Sequence, residues 1–343
     1  MSEPIRVALV GCGRISRNHF DAIAKIGDMR LTAVCDEVET RAREAGEQRG
    51  VAWYTDFAKL LAEAPCDAVV IATPSGLHPA HGIAVARAGK HVICEKPMAT
   101  SLKGADDLVR ACDEARVQLF IVKQNRLNPA IQLLKRAVDK GRFGRIYMAN
   151  TTVLWSRPQE YYDQAPWRGT WEFDGGAFLN QASHYVDLMQ WLVGPVDSVM
   201  AKTATLARRI ESEDSGIAAL KFRSGALGSI VVTMLTFPKN LEGSITILGE
   251  KGTAKVGGTA VNKVEHWSFA DYDDDDKLVD QAATAPTSVY GFGHEGYYRN
   301  VVAALRGHER PDTDGRGGRK SLELILAIYE SARTNRDVAL PLK

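Results

Sequence analysis

Cysteine is scarce in this chain and follows no pairing pattern. The five residues, Cys12, Cys35, Cys66, Cys94 and Cys112, are odd in number, lie in the first third and form no CxxC. Reduced thiols in a cytoplasmic protein are expected rather than a disulfide framework. An excess of either charge is also lacking. Forty-three basic residues oppose 42 acidic ones, a net of +1, so a nucleic-acid-binding surface is not expected. No apolar run approaches the roughly 18 residues of a membrane span. The opening MSEPIRVALVGCGR reads as a strand ending in glycine and not as a signal peptide. The eight histidines form no HExxH and no zinc-spaced cluster, so no metal is expected.

What is present is an ordinary globular composition over 343 residues, 45% hydrophobic and 25% charged, enough for two domains. The first 123 residues alternate strand and helix. Apolar strands are read at 5–10, 31–35, 53–54, 68–72, 92–94 and 119–122, with helices at 14–26, 39–49, 79–88 and 102–115. This order predicts an α/β domain with a doubly wound parallel sheet, whose ligands sit at the carboxyl ends of the strands. The first βα turn is GCGRIS, Gly11 to Ser16. Gly11 permits the tight turn, Gly13 lets the backbone approach a pyrophosphate, and the next helix offers its N-terminal N–H groups. The third position is Ser16, a departure from the usual Gly or Ala. Asp36 ends the second strand 25 residues after Gly11. A carboxylate there accepts both ribose hydroxyls and repels a 2′-phosphate, which favours NAD over NADP. Arg41 and Arg43 leave dual use open.

Two later loops carry a resemblance. Thr73-Pro-Ser-Gly-Leu-His78 follows the fourth strand and Cys94-Glu-Lys-Pro-Met98 the fifth. With Gly175-Gly176 and His184 further on, they resemble the glucose–fructose oxidoreductase and inositol dehydrogenase family. The resemblance covers nearly the whole chain. It implies that residues 1–123 form a dinucleotide-binding Rossmann domain. Residues 124–343 are then an α+β domain with a large, mostly antiparallel open sheet, used for substrate binding and oligomerisation. Strands are read at 146–155, 196–206, 216–223, 226–235 and 244–248, and helices at 129–140 and 319–331. In the family the C-terminal helix, here about 319–334, packs near the first domain. The outer sheet face commonly pairs with another subunit, so a homo-oligomer, with a tetramer favoured, is expected.

The resemblance also places the site. Gly11, Gly13, Arg14, Ile15 and Asp36 are expected to hold NAD, with Thr73, Ser75, His78, Glu95 and Lys96 from the two loops and Gln124, Trp167 and Arg168 from beyond them. Lys96, Asn125, Arg157, Tyr161, Asn180 and His184 are expected at the substrate. Lys96, with a pKa lowered by desolvation, is suited to stabilise an alkoxide. His184, with an ordinary pKa of about 6.5, is suited to take a hydroxyl proton. The segment GGAFLNQASHYVDL reads as one helix with Asn180 and His184 on a shared face and Asp187 a turn later. The run Asp271 to Lys277, DYDDDDK, reads as a solvated loop.

For the substrate, Lys123, Arg126, Arg157 and Arg168 are more positive charge than a neutral sugar needs. Asn180 stands where the family often has Asp. QNRLNPAIQLLK, RPQEYYDQAPWRGTWEFDGGAF and YGFGHEGYYRNV resemble the UDP-N-acetyl-2-amino-2-deoxyglucuronate 3-dehydrogenases of bacterial surface-polysaccharide (lipopolysaccharide, O-antigen) synthesis. That likeness implies oxidation of the C3 hydroxyl of a UDP-sugar, with a 2-oxo acid as a possible second substrate. The alternatives are a family member acting on a neutral sugar or inositol, and a non-catalytic NAD-binding sensor. A sensor is expected to lose Lys96 or His184, and this chain keeps both.

Overall fold

The structure is a computed structural model that describes residues 3–283 and 293–342. The first segment carries β1 (Ile5–Val10), α1 (Ser16–Ala24), β2 (Met29–Cys35), α2 (Glu39–Glu47), β3 (Ala52–Tyr54), α3 (Phe57–Glu63), β4 (Ala68–Ile71), α4 (His78–Arg87), β5 (His91–Cys94), α5 (Leu102–Ala115) and β6 (Leu119–Ile121). Then follow α6 (Pro129–Asp139), β7 (Ile146–Leu154), α7 (Gln159–Asp163), α8 (Ser183–Val193), β8 (Val196–Ala204), β9 (Ser215–Phe222), β10 (Leu227–Thr233), β11 (Glu242–Gly249), β12 (Gly252–Gly257) and β13 (Lys263–Phe269). The chain closes with α9 (Gly293–Leu305), α10 (Gly315–Thr334) and β14 (Val338–Ala339).

Two compact units result. One comprises Met1–Lys123 and His294–Lys320, the other Gln124–Gly293 and Ser321–Lys343. In the first, six parallel strands lie in the order β3-β2-β1-β4-β5-β6. The β4 run AVVI is fully buried, as a parallel strand covered on both faces must be. The strand order reverses between β1 and β4, which places a crevice beyond their carboxyl ends. The loops after β1, β4 and β5 all leave that edge.

In the second unit, eight strands lie in the order β13-β12-β11-β7-β10-β9-β8-β14. Only the β7–β10 pair is parallel among the pairings formed. The helix α8 packs on β7 and α6 on β12. Ala218, Leu220, Ile230 and Val232 point into that core, whereas Met200, Ile217, Leu227 and Val231 remain exposed on the other face. The short helix α3 and the strands β12 to β14 were not anticipated from sequence. Their apolar runs are short and their burial incomplete, so periodicity marks them weakly.

Candidate active site

In the first unit the glycine turn is set by packing. Gly11 has φ +94°, and a Cβ there would lie 2.6 Å from the Ala72 carbonyl at the end of β4. Beside Gly13 a Cβ would meet nothing within 4 Å, so the space over the turn is open. Ser16 explains its own departure: its hydroxyl donates to the Gly13 carbonyl at 2.6 Å, and the side chain is buried. No side chain caps the start of α1, where the Ser16 and Asn18 N–H groups bond the Gly13 and Ile15 carbonyls at 3.2 and 3.0 Å. Asp36 accepts the Cys12 and Val38 N–H groups at 2.8 and 2.9 Å. Its carboxylate is thereby fixed beside the glycine turn, with lone pairs remaining for ribose hydroxyls. These features fit a dinucleotide.

The two loops of the resemblance are tied together by His78. Its ring nitrogens lie 2.7 Å from the Pro97 carbonyl and 2.8 Å from the Thr73 carbonyl. The ring is buried, and burial pushes its pKa down. The neutral ring carries one N–H, so it donates to one of these two carbonyls while lying between the two loops. Thr73 Oγ1 meets His81 Nδ1 at 3.1 Å, and Ser75 is buried. Arg14 is exposed and Ile15 half-buried at the turn. Lys96 is half-buried, and the Lys96–Pro97 peptide is cis.

Glu95, beside Lys96, enters a cluster that the sequence did not announce. His19 Nε2 lies 3.0 Å from Glu95 Oε1, His19 Nδ1 lies 2.7 Å from the Tyr298 hydroxyl, and the His294 ring stacks edge-on at 5.4 Å. Glu95 also accepts the Lys96 N–H at 3.0 Å. Burial alone would raise the Glu95 carboxyl, but the His19 hydrogen bond and basic neighbours hold it at about 2. Burial pushes His294 down to about 3. A buried anion thus stands at the end of β5, directly before Lys96. His19, Glu95 and His294 offer ligand atoms within 4.8 Å of one another. The His19–Glu95 hydrogen bond already joins two of them. Their positions, 75 or more residues apart, hide the cluster from any spacing rule.

In the second unit the segment after Gly175-Gly176 is not one α-helix, which corrects the expectation. Ala177–Gln181 forms a π-type turn in which Ala182 N–H bonds the Ala177 carbonyl at 2.8 Å. The helix α8 begins anew at Ser183, so Asn180 and His184 do not share an α-helical face. Turns of this kind occur often at functional sites. Asn180 donates from Nδ2 to the Asp174 carboxylate. This gives a local reason for its neutrality, since Asp at 180 would meet a second carboxylate.

His184 is buried, and Gln124 donates from Nε2 to its Nε2 at 3.2 Å. That contact places the ring proton on Nδ1 and an acceptor lone pair on Nε2. The tight turn Gln124–Leu127 holds Gln124 in place. Arg126 in that turn makes a two-pronged pair with Asp187 of α8, with both N–O distances 2.7 Å, and Ser321 donates to the same carboxylate at 2.5 Å. Asp187 therefore locks the turn bearing Gln124 and Asn125 against the helix bearing His184. Lys123, expected to face a ligand as surplus charge, is buried. Gln124 Oε1 and Asn125 Oδ1 are buried acceptors with no partner among the described residues, as a site for ligand hydroxyls requires.

The basic and aromatic residues expected before the glycine pair do assemble. Arg157 lies over the Trp155 and Tyr161 rings at 5.1 and 5.4 Å and donates to Gln181 at 3.0 Å. Arg168 lies 4.5 Å over both Tyr161 and Trp167 and donates to the Tyr161 hydroxyl at 2.8 Å. Beside them is an open groove of about 830 Å³ lined by Ser156, Arg208, Phe237, Lys239 and Asn240 among others. The acidic run is exposed or half-buried, as expected, but three of its aspartates are paired outside the run. Arg142 pairs with Asp276 at 2.6 Å, Arg136 with Asp275 at 3.0 Å and Lys140 with Asp273 at 2.6 Å. These pairs tie it to the end of α6, and the hydrogen bond from Arg142, with one from Trp267, holds the Asp276 carboxyl well below the usual carboxylate range. Of the stretch YGFGHEGYYRNV, residues 290–292 lie outside the described residues.

Comparison with known proteins agrees with this geometry. Residues 5–123 match the oxidoreductase family NAD-binding Rossmann fold, and residues 135–340 the oxidoreductase family C-terminal alpha/beta domain. The structure is similar to the WlbA dehydrogenase from Bordetella pertussis solved with NADH and UDP-GlcNAcA. The identity is 58%, covering 100% of this chain and 99% of that one, with TM-score 0.97. D-apiose dehydrogenase of Paraburkholderia graminis is 29% identical over 97% of this chain and 89% of that protein. Myo-inositol 2-dehydrogenase of Thermotoga maritima is 28% identical over 98% of each. Two matched domains in this order, with an NAD-type turn closed by Asp36 and the EKP loop after β5, show that the chain belongs to the glucose–fructose oxidoreductase and inositol dehydrogenase family of NAD-binding oxidoreductases.

Proposed function

We propose that this protein oxidises the C3 hydroxyl of UDP-N-acetylglucosaminuronic acid to the 3-keto sugar, using NAD⁺. The observation that carries the reading is 58% identity over the whole chain to a dehydrogenase solved with NADH and UDP-GlcNAcA. The Arg157–Tyr161–Arg168 cluster supports it, because a carboxylate and a pyrophosphate both need cationic partners with flat faces nearby. The curated D-apiose and inositol dehydrogenase relatives favour a neutral substrate, but at 28–29% identity and without accounting for that cluster.

Bound NAD⁺ supplies a hydride acceptor. Gly11, Gly13, Arg14, Ile15 and Asp36, with the loops carrying Thr73, Ser75 and Glu95, would hold it. His184 takes the hydroxyl proton on Nε2, where the substrate replaces the Gln124 contact. Lys96 hydrogen-bonds the same oxygen and stabilises the negative charge that develops as the proton leaves. Asn125 and Asn180 orient the sugar, and Arg157, Tyr161, Trp167 and Arg168 bind its anionic groups. The last two thus serve the substrate in this reading, and Gln124 serves His184. The exposed apolar face with Met200, Ile217, Leu227 and Val231 supports a homo-oligomer, a tetramer in keeping with the family. A cytoplasmic place in lipopolysaccharide or O-antigen sugar synthesis follows from the substrate.

The test is NAD⁺ reduction at 340 nm with UDP-GlcNAcA, free glucuronate and myo-inositol, each with and without 2-oxoglutarate, and product mass. Reduction with the UDP-sugar alone, and a product 2 Da lighter, is expected. Turnover of inositol but not of the UDP-sugar would sink the reading. Faster turnover with 2-oxoglutarate would make the 2-oxo acid a second substrate.

A further inference from the structure

The π-type turn Ala177–Gln181 has no local side-chain cap, yet its first N–H groups are all satisfied. Ala177 N–H bonds the Glu213 carbonyl at 3.0 Å, and Phe178 N–H bonds Glu213 Oε1 at 2.9 Å. Leu179 N–H bonds the Tyr329 hydroxyl at 3.1 Å, and that hydroxyl donates to the same Glu213 Oε1 at 2.9 Å. Groups distant in sequence thus do what a cap residue normally does. The approach is so close that a Cβ on Gly176 would lie 1.6 Å from Glu213 Oε2. This explains the second glycine of the pair, whose φ of −99° needs no glycine for conformational reasons. Ser212 adds hydrogen bonds from its hydroxyl to the Gly169 and Gly175 carbonyls.

We propose that Glu213 is a positioning residue, an external cap that sets the turn bearing Asn180 and Gln181 and, through it, the first turn of α8 with His184. This rests on the function proposed above. Tyr329 is the second half of the cap. The groups acting on the Glu213 carboxyl are Asp214 from its own segment and Tyr329 from α10. Residues 175–182 contain no titratable side chain. Burial pushes the Glu213 carboxyl up to about 7, against the hydrogen bonds from Phe178 and Tyr329. Opening the turn to water lets Glu213 ionise at its ordinary value. Opening therefore becomes easier as pH rises from about 4.5 to about 7.

The experiment compares wild type, Glu213→Ala, Glu213→Gln and Tyr329→Phe, in amide hydrogen exchange and in kinetics with NAD⁺ and UDP-GlcNAcA from pH 5 to 9. Exchange needs no substrate, so it reports on the cap even if the substrate assignment fails; a wild type inactive on UDP-GlcNAcA sinks only the latter. E213A is expected to lose protection at residues 177–179, and to lower kcat at least tenfold with KM for NAD⁺ within twofold. Tyr329→Phe is expected to lose protection at Leu179 above all. E213Q keeps an acceptor and is expected to fall less than E213A, and the pH dependence of wild-type protection disappears in it. A folded E213A with wild-type protection at Phe178 would overturn the proposal. So would an E213Q that keeps the wild-type pH dependence, or a kcat loss in E213A matched by an equal rise in KM for NAD⁺.

Discussion

Replacing Asp187 with Asn is expected to cost about 3 kcal/mol of stability, and the structure says why. Asp187 is 1% exposed and Arg126 12% exposed at the side chain, and they meet through two N–O contacts of 2.7 Å. Charges about 4 Å apart interact by ~4 kcal/mol at an effective dielectric of ~20. Removing one partner of a buried pair typically costs about 3–5 kcal/mol, because the other charge keeps its desolvation penalty. Asn retains the size and one acceptor, which favours the low end. For a unit of this size that is a fall in Tm of about 6–12 °C. Calorimetry and urea unfolding of D187N, Arg126→Met and the double variant Arg126→Met/Asp187→Leu would measure it. The double variant should recover much of the loss, since no charge is then buried without its counterpart. A D187N protein within about 0.5 kcal/mol of wild type would refute the reasoning. So would a double variant that adds the two single losses. The kcat of D187N should fall as well, because the turn bearing Gln124 loses its tie to α8.

Other consequences are independent of this one. Glu213, raised from 4.5 to about 7, makes the protein lose roughly 3 kcal/mol of stability as pH rises across that interval. Urea unfolding of E213Q between pH 4.5 and 8 should lack this slope, and an unchanged slope would mean the carboxyl is not buried as described. Asp36→Ala should raise KM for NAD⁺ at least tenfold and improve the ratio of NADP⁺ to NAD⁺ use in steady-state assays. Equal KM for NAD⁺ in the variant and wild type would remove Asp36 from the ribose. Asn180→Asp should lose activity on charged and uncharged sugars alike, because the new carboxylate faces Asp174. Loss confined to the uronate would mean instead that Asn180 answers the substrate's charge. Gly11→Ala should abolish NAD⁺ binding by calorimetry, since its Cβ would overlap the Ala72 carbonyl.

Much of the first unit was legible because its signals are local. A strand, a glycine turn and a helix are adjacent in sequence, whereas the contact of Gly11 with the Ala72 carbonyl is not. The fully buried run of β4 announces a parallel strand. Asp36 could be read from its place at the end of β2. The EKP tripeptide and the glycine pair with His184 were legible as a family pattern, although only the fold shows His78 joining the Thr73 and Pro97 loops. The π turn was not legible. Periodicity cannot distinguish an i→i−5 bond from an i→i−4 bond when the deciding caps come from Glu213 and Tyr329. Nor could the sequence show that Asn180 meets Asp174, or that consecutive aspartates meet Arg136, Lys140 and Arg142. Both depend on which side chains folding brings within hydrogen-bond reach.

The sequence by itself determined the alternation of strands and helices in the first unit, the dinucleotide turn and the residue types available for proton transfer, since each rests on hydrophobic periodicity or short-range geometry. Only the tertiary structure decided the company those residues keep. Glu95 is held ionised by His19, Gln124 points at His184, and Asp187 locks Arg126. These pairs are separated by 60 to 76 residues, and their energies come from burial, which no local window of sequence contains.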